Sequence, residues 1–223
     1  MIKTDHGEFE VRPITFGERR ELHRLEMKVF WDEEIERDAY FDLLNWCMDH
    51  AFEDAETTLS KLDDAQIDEV LNAVYLHYKG LDQKKKIKVR IATWCNFFGW
   101  GNSLYPLQFQ SYKAQSPTLA QYIDFTEDEI WAECGRIIDE DKHNKFSIGQ
   151  NLYYNLNFFC NPKFFIDREI EGYIEDYFVS TKFNLPLAQT LDQADARTID
   201  IFRVISEEIS ACENRSKEMN NGK

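Results

Sequence analysis

Phe9-Glu-Val-Arg-Pro-Ile-Thr-Phe-Gly-Glu-Arg-Arg-Glu-Leu-His-Arg-Leu25 turns from one secondary structure into another at a chemically specified point. Phe9, Val11 and Pro13 alternate with Glu10 and Arg12, the period of a short, half-exposed strand. Pro13 lacks an N–H to give to a ladder and biases Arg12 towards an extended conformation, so the strand is expected to end there. Thr15 and Glu18 stand three apart, as in a capping box, in which each side chain satisfies a backbone N–H at a helix start. Leu22, Leu25 and Val29 then recur at helical spacing with arginines between them. Nothing in this stretch is catalytic.

Working outward, Trp31-Asp-Glu-Glu34 reads as a break. Tyr40, Leu43, Leu44, Cys47, Ala51 and Phe52 form the apolar stripe of a second helix. A third follows, with Asp63 and Gln66 as another capping box, Ile67, Val70, Leu71, Val74 and Tyr78 as its stripe and Gly80 past its end. Residues 1–82 are therefore expected to form an N-terminal module of one strand or hairpin and about three helices. Residues 81–90 read as a charged connector, exposed to trypsin, and residues 87–223 as an aromatic-rich, mainly helical second module. Within it, Ile87, Val89 and Ile91 alternate like a strand, while a helix reaching Phe98 fits as well. Thr126 and Glu129 form a third capping box. Asn161-Pro162 reads as the start of a helix through Tyr177, and Asp192 or Asp195 as the cap of a last one, with the polar tail 213–223 expected to fray. The fold class is thus mainly α (α+β), a helical bundle in two modules.

Composition narrows the function classes. The net charge of −15 argues against a nucleic-acid binder, which needs a basic footprint. Residues 32–69 hold fourteen acids against Arg37 and Lys61, whereas residues 79–90 hold six bases against Asp82. Five scattered cysteines without a C-x-x-C pattern read as buried, reduced thiols of an intracellular protein. The N-terminus has no apolar signal-peptide core, and the most apolar run, Ile91–Trp100, is too short to span a bilayer, so no membrane partner is expected. No G-x-S-x-G, H-E-x-x-H or Walker-type run occurs. His50 and Glu53, one turn apart on a helix, are the best metal candidate, but an ordinary solvated face explains them more simply. No catalytic residue, metal or cofactor is expected. The acidic segment could imitate DNA and occupy a nuclease, but its core-spaced apolar residues make an acidic outer face the simpler reading.

Residues 94–112 carry seven aromatics: Trp94, Phe97, Phe98, Trp100, Tyr105, Phe109 and Tyr112. Beside the bases of 84–90 they could stack single-stranded nucleic acid, yet core packing or a protein-binding surface fits an acidic molecule better. Trp94, Phe97, Phe98 and Trp100, next to the glycine-broken Gly99-Trp-Gly101, are the expected protein-contact residues.

The run Val11–Leu25 resembles the opening of tail assembly chaperones from long-tailed bacteriophages, in which an extended Arg-Pro-Leu-Thr type segment turns into a charged helix. An acidic helix and a segment like Ile67-Asp-Glu-Val-Leu-Asn-Ala-Val-Tyr-Leu76 follow in similar order, so the resemblance covers residues 8–81. Leu191-Asp-Gln-Ala-Asp195, ahead of an Ile/Phe-rich helix, is similar to the second region of longer versions and to baseplate hub assembly proteins of contractile-tailed phages. The resemblance implies a non-catalytic chaperone of the host cytoplasm that holds tail tube, tape measure or hub subunits before assembly. Such a protein is usually absent from the finished particle. The runner-up readings are an acidic inhibitor or DNA mimic directed at a host nuclease, and a minor structural component of the baseplate; a metal-dependent enzyme built on His50 comes after them.

Overall fold

Reciprocal capping opens the first helix. The Thr15 N–H donates to Glu18 Oε2 at 2.7 Å, and the Glu18 N–H donates to Thr15 Oγ1 at 3.2 Å. The computed structural model describes residues 1–29, 36–101, 103–107, 110–141 and 146–221. The expected break at 31–34, and Phe109 of the aromatic stretch, lie outside the described residues. The fold is mainly α with two antiparallel hairpins. It divides into two compact units: Met1–Asp82 with Asn184–Asp200, and Gln83–Phe183 with Ile201–Lys223.

In the first unit, strands β1 (Ile2–Thr4) and β2 (Gly7–Phe9) pair with Ile2 opposite Phe9. The ladder ends at Phe9, before Pro13; beyond it the chain stays extended, with the Arg12 N–H donating to the Ala51 carbonyl at 3.0 Å. Helix α1 (Phe16–Val29) buries Leu22 and Val29 fully, and α2 (Arg37–Ala51) buries Leu43, Leu44 and Cys47. A short α3 (Ala55–Leu59) is capped by Asp54, which accepts from the Thr57 N–H. Helix α4 (Asp64–Lys79) opens with both bonds of the Asp63–Gln66 box, at 2.9 and 3.1 Å. These elements enclose one apolar core.

One segment arrives from far along the chain. Residues 184–200, assigned from sequence to the second module, pack in the first unit. The Phe16 N–H donates to the Ala194 carbonyl at 2.8 Å, and the Ala196 N–H donates to the Ile14 carbonyl at 3.0 Å. The extended entry to α1 thus satisfies its backbone with this segment rather than with its own strand neighbours. The approach is close: a Cβ on Gly17 would lie 3.0 Å from the Asp192 carbonyl oxygen. Arg19, one of the arginines of the helix, is buried. It donates to Asp200 through both terminal nitrogens and to the Ala196 carbonyl at 2.7 Å.

The second unit is built on α5 (Gln83–Phe98). This corrects the charged connector: residues 84–90 are the first half of a helix, with Lys85 buried against Glu169, Lys88 3.2 Å from Asp167 and Lys84 over the Trp131 ring. The strand-like alternation arises because Ile87, Val89 and Ile91 are all buried in a helix covered on more than one side. Strands β3 (Tyr112–Gln115) and β4 (Tyr122–Phe125) form the second hairpin. Thr126 caps α6 (Glu127–Glu140), but Glu129 turns to Arg136 instead of closing the box. Ser147 caps α7 (Ile148–Leu156). Asn161-Pro162 opens only a 3-10 turn, Pro162–Phe165; α8 (Arg168–Phe183) starts later, where Asp167 accepts from the Ile170 N–H. Asp195 caps α9 (Ala196–Asn221), so the part of the tail expected to fray that the structure describes, 213–221, is helical. An aromatic and aliphatic core, with the Phe125 and Phe159 rings stacked at 5.1 Å, fills this unit.

Candidate protein-contact surface

The four aromatics singled out from sequence separate by role. Trp94 is fully buried, and its indole N–H donates to Glu208 Oε2 at 2.7 Å. Phe98 is half-buried and stacks on Trp94 at 5.2 Å, and Trp100 is half-buried against the second core. Only Phe97 is exposed, at the end of α5. Trp94 is therefore a core residue and not a contact anchor. The reason is local: it faces the same side of α5 as Ile87 and Ile91, two turns and one turn earlier, and its one polar atom finds a buried carboxylate.

The exposed apolar groups come from the loop after Gly99. Leu104 is 96% exposed and Leu107 52%, and Phe158, beyond the end of α7, is 62% exposed. The loop is fixed to the 158–161 segment by polar bonds. The Tyr105 hydroxyl donates to the Phe158 carbonyl at 2.6 Å, and Asn161 Nδ2 donates to the Tyr105 carbonyl at 3.2 Å. Ser103 Oγ donates to the Cys160 carbonyl at 3.3 Å, and the Tyr153 hydroxyl to the Gly99 carbonyl at 3.0 Å. Leu104 and Phe158 stand exposed on either side of these bonds. Exposed apolar groups on a rigid base favour binding, because little conformational entropy remains to be lost. Sequence reasoning passed over these residues because it looked for aromatic density. The available signal was Leu104-Tyr-Pro-Leu107, apolar residues inside a loop where no helix or strand period explains them.

The buried carboxylates are saturated. Glu208 accepts from Arg90, from Trp94, from Ser147 Oγ at 2.6 Å and from the Gly149 N–H at 3.2 Å. A Cβ on Gly149 would fall 2.5 Å from both Glu208 Oε2 and Trp94 Cδ1, so the fit requires glycine. Burial alone would raise the Glu133 pKa, but bonds from the Thr118 N–H, Ser116, Arg136 and the Thr118 hydroxyl outweigh it and hold the group below the usual range. In the first unit burial likewise opposes ionisation of Glu26, yet Lys79, Tyr75 and His23 bring its pKa down to about 2. Saturated carboxylates of this kind fix helices to one another and offer no free base to a substrate.

His50 is engaged locally: its Nδ1 lies 2.9 Å from the Trp46 carbonyl, and its ring stacks on Trp46 at 3.8 Å. Among the described residues no three His, Cys, Asp or Glu side chains gather as a metal site. All five cysteines are free and buried, and burial pushes the thiols of Cys47, Cys95, Cys160 and Cys212 up to about 12. Among the described residues no helix is long and apolar enough to cross a membrane. Neither a protein-family profile, nor a curated protein, nor a solved structure matches the chain.

Proposed function

We propose that this protein is a non-catalytic assembly chaperone that holds tail or baseplate subunits of a bacteriophage in the host cytoplasm before they are incorporated. The observation that carries the binding part is the fixed loop presenting Leu104, Leu107 and Phe158 to solvent. A chaperone for self-assembling subunits must cover apolar surface on its client and release it when the growing structure offers a better partner. A small apolar patch on a strongly charged body has the chemistry for that: moderate affinity with high solubility. The client class rests on the resemblance of residues 8–81 to phage tail assembly chaperones, with tail tube, tape measure or hub subunits as candidates.

Co-expression of the tagged chain with the tail and baseplate proteins of the same phage tests this reading. One structural protein should remain soluble and co-purify. Leu104→Ser with Phe158→Ser should release it, by about 2 kcal/mol or more for each anchor lost, with the melting temperature unchanged. Trp94→Ala, by contrast, should unfold the chain. Retention of no structural protein by the unmodified chain would overturn the chaperone reading.

A further inference from the structure

Residues 175–183, the second half of α8, include no buried side chain. The helix turns one line of residues towards its own unit. Ile170 and Ile174 on that line are buried, and Tyr177, the next residue along it, sets its ring against Phe202 at 5.3 Å. The opposite side carries large apolar groups into solvent: Phe178 is 38% exposed, Val179 40% and Phe183 63%. Among the described residues no other helix exposes more than one large apolar side chain. Helical geometry puts the three on one face, because Val179 and Phe183 stand one turn apart and Phe178 is adjacent. Glu175, Val179 and Lys182 fall at i, i+4 and i+7 of the same face, and all three are exposed. An acid, an apolar centre and a base therefore follow one another along a single line of the helix. Among the described residues neither Glu175 nor Lys182 enters an ion pair; Lys182 Nζ lies over the Phe183 ring at 5.8 Å.

We infer that this face of α8 pairs with the same face of a second copy of the chain, the two helices running antiparallel. The order of the charges selects the occupant. A twofold axis sets residue i of one copy against residue j of the other, and j against i. Glu175 lies three positions before Phe178, and Lys182 lies three positions after Val179. Antiparallel pairing about that centre brings each Glu175 to the Lys182 of the other copy and the Phe178 and Val179 side chains of both copies together. A parallel pair would set acid on acid and base on base, and a uniformly acidic or basic partner would meet a like charge at one end. Covering Phe178, Val179 and Phe183 supplies the affinity, while the exposed ion pairs, weak singly, fix the direction. About two and a half turns of helix make a contact smaller than a standard interface, so the association is reversible, with a dissociation constant on the order of 10–100 μM. This inference goes beyond the client-binding reading and stands on different residues from the Leu104 patch.

Sedimentation equilibrium of the full chain, over about 1 to 300 μM, tests it. The weight-average mass should rise with concentration from 26.5 kDa towards twice that value. Phe178→Ser with Phe183→Ser should weaken the association by about tenfold or more. Glu175→Lys and Lys182→Glu, made separately, each turn both ion pairs of the dimer into repulsions and should weaken it by about tenfold as well. Mixing those two single variants should restore association as a mixed dimer, and the double exchange Glu175→Lys with Lys182→Glu in one chain should restore it in the homodimer. Both positions are exposed and unpaired, so the charge variants keep the test decisive if the serine variant fails to fold. Leu104→Ser with Phe158→Ser should leave the mass curve unchanged, so this inference and the client-binding reading fail separately. A mass that stays at 26.5 kDa throughout would overturn the inference. So would self-association indifferent to the α8 variants, or charge variants that neither mixing nor the double exchange restores.

Discussion

The two units use charge in opposite ways. The first carries 24 acids against 10 bases, and the second carries 17 against 16. In the first, most carboxylates of α2–α4 stand in water without cations, while the interior is almost wholly apolar. In the second, charges are taken inside and matched: Arg90 on Glu208, Arg136 on Glu133, Lys85 on Glu169. Excess surface charge keeps a protein soluble but does not specify its packing. Buried and fully bonded charge does the reverse, because any rearrangement strands an ion. The contrast separates a unit that leaves its acids to water from one that packs matched charge around its core.

The largest test of that contrast is Glu208→Ala. It leaves Arg90 to the exposed Glu207 at 3.3 Å, strands the indole of Trp94 and removes the acceptor of the Gly149 N–H. The expected loss is about 3–5 kcal/mol, read by chemical denaturation. Asp68→Asn, an unpaired acid of the first unit, should change stability by no more than about 0.5 kcal/mol. Equal effects from the two variants would erase the distinction.

Glu26 sharpens the contrast, because like Asp200 it is an exception in the first unit: a half-buried acid paired with a base, here a lysine. Its pKa in the folded state, about 2, lies below its unfolded value of 4.5. The stability it contributes is therefore fully present above pH 4.5 and is lost as pH falls from there towards 2. Glu26→Gln should cost at most about 3 kcal/mol at neutral pH and progressively less on acidification, measured as denaturation midpoints across that range. A cost independent of pH would show that packing, and not the ion pair, holds α1 against α4.

Much of the first unit was legible in the sequence. Thr15–Glu18 and Asp63–Gln66 are local devices, complete within four residues, and both close as read. Where chemistry comes from a distance, sequence reading stopped short. Nothing near Arg19 announces Asp200, 181 positions away, and nothing near Trp94 announces Glu208, 114 positions on. For that reason Lys84–Arg90 looked like a solvated connector: its carboxylate partners are supplied by α8 and α9. For the proposed contact surface, aromatic content pointed to Trp94, whereas packing buries that residue and leaves Leu104 and Phe158 exposed.

Hydrogen exchange on the full chain, free and in complex with the co-purified structural protein, tests the central claim most directly. The amides of residues 97–107 and 157–161 should gain protection on binding, while those around Trp94 and Glu208, already buried, should be equally slow in both states. Protection confined to other surfaces, with 97–107 and 157–161 exchanging as in the free chain, would contradict the claim.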